Sequence, residues 1–450
     1  MKSYLSRLMP LTLAAIVSIA SPVRAEDAAN WAQWRGPNYD GSSPAKNLPT
    51  EFGKDKNLLW AAKLPGISNA TPIVYGDRVF TTSIDEGRKM AVICLSRADG
   101  KVLWQKDAGT AQIRPKGEND VAAPSPVTDG KTVVFMFGTG DILAFDVDGK
   151  PLWARNLQRE IGEWNINWIY GSSPTLHKGK LYVQVLHTDK PYAGTALPGA
   201  IKYEGNEVPS YLLALDPLSG KELFRVVRPT DAVQETKESY ATPIPYTTKE
   251  GREEILIVGG DAVTGHDPVT GKEIWRYTGW DPKKEPFWRL IPSVGIGGGM
   301  ILACAPKNGP VMGIKEGGVG DVSTSHHAWK TDGKEISSDV PVPLYYQNHF
   351  YILDHGGTKL TKVVPATGAA VWVTKLEGVK AVCRASPTGA DGKIYCMNVN
   401  GDVWVVSPED GKILSKTALG GNKSARGTVA VVDGMLLIRE GVTLYAFGVK

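Results

Sequence analysis

LLALDPLSGKELF, residues 212–224, is the stretch whose reading decides the fold. An apolar run ends in a small residue and an acid, a Gly-Lys turn follows, and a second run closes on an aromatic. Asp216 supplies a local acceptor for the turn and Gly220 takes the positive φ that such reversals need. The stretch is one β-hairpin. Versions of it recur as AVICLSRADGKVLW (residues 91–104), ILAFDVDGKPLW (142–153) and VTGHDPVTGKEIW (263–275), then more loosely as KVVPATGAAVW ending at Trp372 and VVSPEDGKIL ending at Leu414. A second hairpin, opened by Ser/Thr-Pro, precedes many of them: TPIVYGDRVF at Thr71, SPVTDGKTVV at Ser125, SPTLHKGKLY at Ser173 and SPTGADGKIY at Ser386. Two hairpins make four short antiparallel strands, which is one propeller blade.

The outer-strand ends read Trp60, Trp104, Trp153, Phe224, Trp275, Trp329, Trp372 and Leu414. That predicts an all-β chain, an eight-bladed β-propeller of four-stranded antiparallel blades over residues 58–450. Its aromatic ends belong between neighbouring blades rather than in a site. Residues 58–60 look like a last strand without partners before it, and residues 426–447 supply three strands and stop. The N-terminal strand is therefore expected to complete the C-terminal blade and close the ring, leaving no free edge. Residues 26–57 carry no strand pattern and read as a lead-in packed on the propeller, with Trp31, Trp34 and Phe52 covering part of it.

The pattern A-x-D-x-x-[TS]-G-K-x-x-W resembles the repeat of the quinoprotein-like propellers, the family of the PQQ-dependent alcohol dehydrogenases, and is similar in architecture to the outer-membrane assembly protein BamB. The resemblance covers nearly all of residues 58–447 and is specific for fold rather than for function. For the dehydrogenase branch it implies PQQ with calcium, held by a vicinal disulfide, a cage of side-chain oxygens and an Asp base. This chain has no adjacent cysteines, and no set of residues maps onto the calcium ligands, so no cofactor is assigned. It also lacks the cysteine that would carry a lipid, which departs from BamB.

Composition fits an exported globular protein. Lys2 and Arg7 precede an apolar run at residues 11–20, and Val23-Arg24-Ala25 offers a cleavage site, so residues 1–25 read as a signal peptide and the mature chain as soluble, periplasmic or secreted. The apolar run is too short for a permanent transmembrane anchor. The net charge is +4, of which Lys2, Arg7 and Arg24 supply three; no basic stripe is interleaved with aromatics, so nucleic acid is not expected. Four cysteines, Cys94, Cys304, Cys383 and Cys396, are too few for a disulfide framework. Cys383 and Cys396 flank one hairpin, as a disulfide or as two buried thiols.

Tight turns such as YGDR and PLSGKE fall on one face of the propeller. The long connections, residues 106–123, 156–171, 228–241 and 279–290 with the insertion 187–209, fall mainly on the other, which is the expected working face. Residues leading into the inner strands should ring the channel mouth there: Asn69, Asp120, Tyr170, Tyr240, Arg289, Asp339, Arg384 and Arg426, with Glu238 one step behind. Loops within blades add Asp261, Lys307, Asp354 and His355.

Arg289, Arg384 and Arg426 around one funnel suit a carboxylate, sulfate or phosphate. The alternative is that they pair with Asp120, Glu238, Asp261 and Asp339 and hold blades together. His355 and Glu238 are the candidates for moving a proton. His266 occupies an inward apolar position and reads as a core histidine, and His326 and His327 point to opposite faces and make a poor metal pair. Trp164, Trp168 and Tyr170 form either a sugar-stacking surface or a lid. No phosphate loop, nucleophile elbow or zinc spacing is present.

Two functions stay open. The first is a monomeric binding or scaffold propeller that holds a protein or a glycan in the periplasm. The second is an enzyme acting at the funnel on a carbohydrate or anionic substrate, or a divergent PQQ-dependent oxidoreductase.

Overall fold

The computed structural model describes residues 28–117, 119–189, 192, 197–203, 209–354, 356–378, 381–421 and 424–449; the signal-peptide reading of residues 1–25 lies outside them. Eight sheets follow one another around a ring, each antiparallel and four-stranded apart from one added strand. The blade containing the diagnostic hairpin runs Thr175–His177, Lys180–Val185, Tyr211–Leu215 and Glu222–Val227 from the channel outward. Ring closure is as the sequence implies: Leu58–Lys63 pairs antiparallel with Thr443–Phe447 as the outer strand of the eighth blade. Among the described residues no helix is long and apolar enough to cross a membrane.

The repeat motif makes sense at the blade junctions. Each hairpin-turn glycine lies against the aromatic end of the preceding blade: Gly100 on Trp60, Gly149 on Trp104, Gly220 on Trp153, Gly271 on Phe224 and Gly368 on Trp329. The indole N–H groups of Trp60, Trp104, Trp153 and Trp329 donate to carbonyls of the next blade's turn at 2.7–3.1 Å. A Cβ on Gly220, whose φ is +69°, would sit 2.6 Å from the Trp153 ring. Gly220→Ala combines left-handed strain with overpacking, so a loss of about 2–3 kcal/mol is expected. A urea midpoint equal to that of the wild type would contradict this packing argument.

Two blades depart from the repeat. In the seventh, Val405 pairs with Ser415 and Leu414 falls in the bulge, so Ser415, not Leu414, occupies the aromatic position. Leu414 is left exposed because the bulged residue of this motif points outward, as Leu223 does in the third blade. The lead-in covers that junction instead: Ser415 Oγ donates to the Thr50 carbonyl, Thr417 Oγ1 donates to Phe52 O at 2.5 Å, and the Phe52 ring lies 5.0 Å from Phe447. In the fifth blade, residues 316–326 replace the tight turn, and Gly320–Asp321 adds a parallel strand beside Trp275–Arg276 of the fourth.

The Ser/Thr-Pro openings form a ring of hydrogen bonds around the channel. The backbone N–H of Thr71 donates to Ser125 Oγ, Ser125 to Ser173, Ser173 to Thr242 and Thr242 to Ser293, each at 2.8–3.0 Å. Val342 donates to Ser386 at 3.0 Å, and Thr428 to Thr71 at 2.8 Å across the closure. A short side-chain acceptor is needed where every blade's first N–H faces its neighbour, because a buried N–H without a partner is costly.

The lead-in closes the channel's other end. Trp31 exchanges backbone hydrogen bonds with Val74, Ala32 O accepts from Thr128 N, and Tyr39 Oη donates to Leu176 O. On the far side Asp40 O accepts from Tyr345 N, and Ser43 N donates to Gly389 O. These partners lie at the turn ends of inner strands in the first, second, third, sixth and seventh blades, so the segment spans the channel there. Arg35 is fully buried within it and donates to Pro343 O and Pro387 O at 3.1 Å and to Asp40 O at 2.8 Å. With this end covered, the channel opens on the long-loop face.

Candidate functional site

Inner strands converge on the channel axis, so the residues just before them meet at its mouth. Six of the eight residues singled out on that logic, Asn69, Asp120, Tyr240, Arg289, Arg384 and Arg426, line one cavity of about 460 Å³, joined by Trp168, Gly117 and Val340. The other two do not. Tyr170 turns into the core, 4.4 Å from the Trp164 ring, with its hydroxyl on Gln184 O at 2.7 Å. Asp339 is buried and accepts from Lys307 N at 3.1 Å.

The charges at the mouth are only partly compensated. Asp120 accepts from Arg88 Nη1 at 2.7 and 2.8 Å and from Val121 N at 2.6 Å, so its ion pair is made with Arg88. Arg289 Nη1 lies 3.0 Å from Glu235 Oε1, which also accepts from Trp168 Nε1 at 3.0 Å. Glu235 sits in the 3-10 turn Gln234–Lys237 and is nearly fully buried. Arg384 has no hydrogen bond or ion pair among the described residues, and it lines the cavity. A planar cation with open donors in a concave site is a bidentate receptor for an oxyanion.

Glu238 lies beneath the mouth, fully buried. One oxygen accepts from Tyr240 Oη at 2.7 Å and from Asn167 N at 2.9 Å; the other has no partner among the described residues. Burial disfavours the carboxylate, and these hydrogen bonds offset it only in part, so its pKa rises to about 7. An acid whose folded pKa lies above its unfolded value holds its proton longer in the folded state. Glu238 therefore favours folding at low pH, and that contribution is lost as pH rises from about 4.5 to about 7. Glu238→Gln should flatten this part of the stability profile, so that the variant gains on the wild type between pH 5 and 8 in thermal unfolding. Parallel profiles would show that Glu238 is ionised throughout.

Trp168 is not an open stacking surface. Lys116 Nζ lies 5.4 Å from its ring centroid and Arg289 Cζ 5.7 Å, so cations already lie over the indole. Of the aromatic run, Trp164 and Tyr170 pack inward and Trp168 borders the cavity. Two other expected funnel residues are displaced. Lys307 lines a separate cleft beside the funnel, and Asp261 accepts from Asp281 N at 2.8 Å to anchor the loop that builds it. Both sit at positive φ, 55° and 57°, so these turns re-aim their side chains away from the axis. His355 lies outside the described residues.

His266 is a satisfied core histidine, with Nδ1 2.9 Å from Gly271 O and Nε2 2.9 Å from Thr264 Oγ1. His327 Nδ1 lies 2.7 Å from Tyr277 Oη. All four cysteines are buried free thiols, so Cys383 and Cys396 follow the thiol alternative. Sequence reasoning missed Glu235, Arg88 and Lys116. For Glu235 a signal existed: Glu235 and Glu238 stand three apart in QETKES, a spacing that puts both on one side of a helical turn.

A family signature described as outer membrane protein assembly factor BamB matches residues 53–187 and 263–448. A polyvinylalcohol dehydrogenase of Pseudomonas sp is 31% identical over 169 residues, 37% of this chain; the chain spans about a quarter of that relative's length, 24%. BamB from Moraxella catarrhalis has a TM-score of 0.58 at 15% identity, covering 87% of this chain and 97% of that one. The quinohemoprotein alcohol dehydrogenase of Comamonas testosteroni has a TM-score of 0.66 at 12% identity, covering 94% and 81%. At these identities the structural likenesses are of fold.

Proposed function

The chain belongs to the BamB-type family of PQQ-like repeat propellers, and from that premise we propose that it is a periplasmic binding propeller whose funnel captures an anionic group. One observation carries the reading: Arg384 lines the 460 Å³ cavity without an acceptor among the described residues, beside Arg289 and Arg426. A purely structural arginine at a blade junction is expected to be closed into a pair, as Arg88 is with Asp120. The long loops raise walls around the mouth, and the lead-in leaves this face as the ligand's entrance.

The quinone of the dehydrogenase branch would need acceptors for its calcium as well as donors for its acid groups. Three arginines suit its carboxylates, but among the described residues no three His, Cys, Asp or Glu side chains converge on a cation position, and the thiols are separate and buried. The donor set among the described residues does not fit the quinone–calcium pair. Catalysis at the funnel has one observation in its favour, the near-neutral carboxyl of Glu238 behind Tyr240, which suits proton transfer in the neutral range.

Thermal shift on the mature chain and on Arg384→Ala tests the binding reading, with sulfate, phosphate, galacturonate and PQQ with or without Ca²⁺ as probes. A probe at one hundred times its Kd should stabilise the wild type by about 2.7 kcal/mol, and the variant much less. A shift that persists undiminished in Arg384→Ala would refute the assignment. No shift with any anion would turn the search to a protein partner.

A further inference from the structure

Beside the funnel lies a second concavity, of about 480 Å³, built by the loop after Glu273–Thr278 and bordered by Lys307. The loop is held firmly. Asp281 N donates to Asp261 Oδ1 at 2.8 Å, Glu285 N to Asp281 Oδ2 at 2.9 Å and Trp288 N to Thr236 Oγ1 at 2.8 Å. On this frame Trp280, Phe287 and Trp288 line the cleft together with two lysines, Lys283 and Lys307, and two acids, Asp281 and Glu285. Phe287 is 53% exposed, the highest exposure of any aromatic side chain among the described residues. What sets Phe287 apart is that its half-open ring stands beside two indoles on the wall of one concavity, so the wall is aromatic.

The two concavities are neighbours along the chain. Trp288 lines the cleft and the next residue, Arg289, lines the funnel, so consecutive residues, with Cα atoms about 3.8 Å apart, border the two. Aromatic faces suit the apolar face of a pyranose, lysines suit its hydroxyls and acid groups, and the funnel beside them is cationic. An apolar ligand would leave the charged groups of the cleft unused, a lone small anion would leave the aromatic rings unused, and a sugar ring uses both, its hydroxyls donating to Asp281 and Glu285 and accepting from the lysines.

We propose that the cleft of Trp280, Phe287 and Trp288 is a sugar-ring subsite continuous with the arginine funnel, so that the ligand is an acidic oligosaccharide with one acid group at the arginines and a neighbouring ring on the aromatics. The inference rests on the anion-binding reading of the funnel. It adds the substrate class and a dependence on chain length.

Calorimetric titration of galacturonic acid and tetragalacturonic acid tests it, using the wild type, Phe287→Ala and Arg384→Ala. The wild type should bind the tetramer about ten-fold more tightly than the monomer, with a change in tryptophan emission only for the tetramer. Phe287→Ala should erase that gain and leave monomer affinity unchanged, and Arg384→Ala should weaken both. The side chain is solvent-facing, so its loss leaves the fold intact. Equal affinities in the wild type, or a gain that survives Phe287→Ala, would overturn the subsite. Binding of sulfate without either sugar would also overturn it while leaving the funnel reading standing. A tetramer that needs Phe287 but not Arg384 would overturn the funnel reading instead.

Discussion

Arg35→Ala is expected to lower the unfolding free energy by about 3–5 kcal/mol, the loss typical of an uncompensated buried polar network. The guanidinium is wholly shielded from solvent, which pushes its pKa down to about 10, yet it stays charged at neutral pH. Its three carbonyl acceptors come from the sixth blade, the seventh blade and the lead-in itself. Alanine removes the donor to the Pro343 and Pro387 carbonyls, leaves Asp40 O to Tyr345 N alone, and opens a void beside Gly41, where the guanidinium lies so close that not even a Cβ fits. Lysine should not rescue the variant, because one ammonium cannot reproduce a planar fork that reaches three directions. The urea midpoint measures the loss, and hydrogen exchange locates it: the amides of Trp31 and Ser43, bonded to Val74 and Gly389, should exchange faster. An unchanged midpoint would mean that the backbone hydrogen bonds and the apolar contacts of Trp31, Leu48 and Phe52 dock the segment without the guanidinium.

Most of the fold could be read directly because each blade repeats its own chemistry. A glycine that must take positive φ and also lie flat on the preceding tryptophan is doubly constrained, and it recurs at a fixed distance before the next aromatic. The place where the reading slipped, Leu414 for Ser415, is where the aromatic is missing and only the bulge distinguishes neighbouring positions. The crossing of the channel by residues 28–57 was not legible, since it is made of backbone hydrogen bonds and one buried arginine rather than a periodic pattern.

The site was legible to the extent that repeat position fixes geometry. Residues leading into inner strands must approach the axis, which gathers Arg289, Arg384 and Arg426 at one mouth. Which arginine is paired is a different question, answered by loop conformation. Glu235 reaches Arg289 from a 3-10 turn, and Asp120 turns to Arg88 instead of crossing the mouth. Turns at positive φ likewise sent Lys307 and Asp261 to the aromatic loop, which no repeat logic could anticipate.

The partition between paired and open arginines makes the second large effect specific. Arg384→Ala should weaken anion binding by about 10- to 100-fold, the value of one or two hydrogen bonds to a charged group. Arg289→Ala should give a loss of similar size by another route. Arg289 is already engaged by Glu235, so its removal chiefly leaves that buried carboxylate uncompensated at the edge of the cavity, where it repels the ligand. Adding Glu235→Gln should therefore restore most of the affinity lost in Arg289→Ala and none of that lost in Arg384→Ala. Salt should separate the two as well, because repulsion across the mouth is screened while a missing contact is not. Titrating galacturonate or sulfate into the four variants at low and high ionic strength reads both effects. Equal rescue of the two arginine variants by Glu235→Gln would show that the mouth acts only through its summed charge, with no arginine making a directed contact.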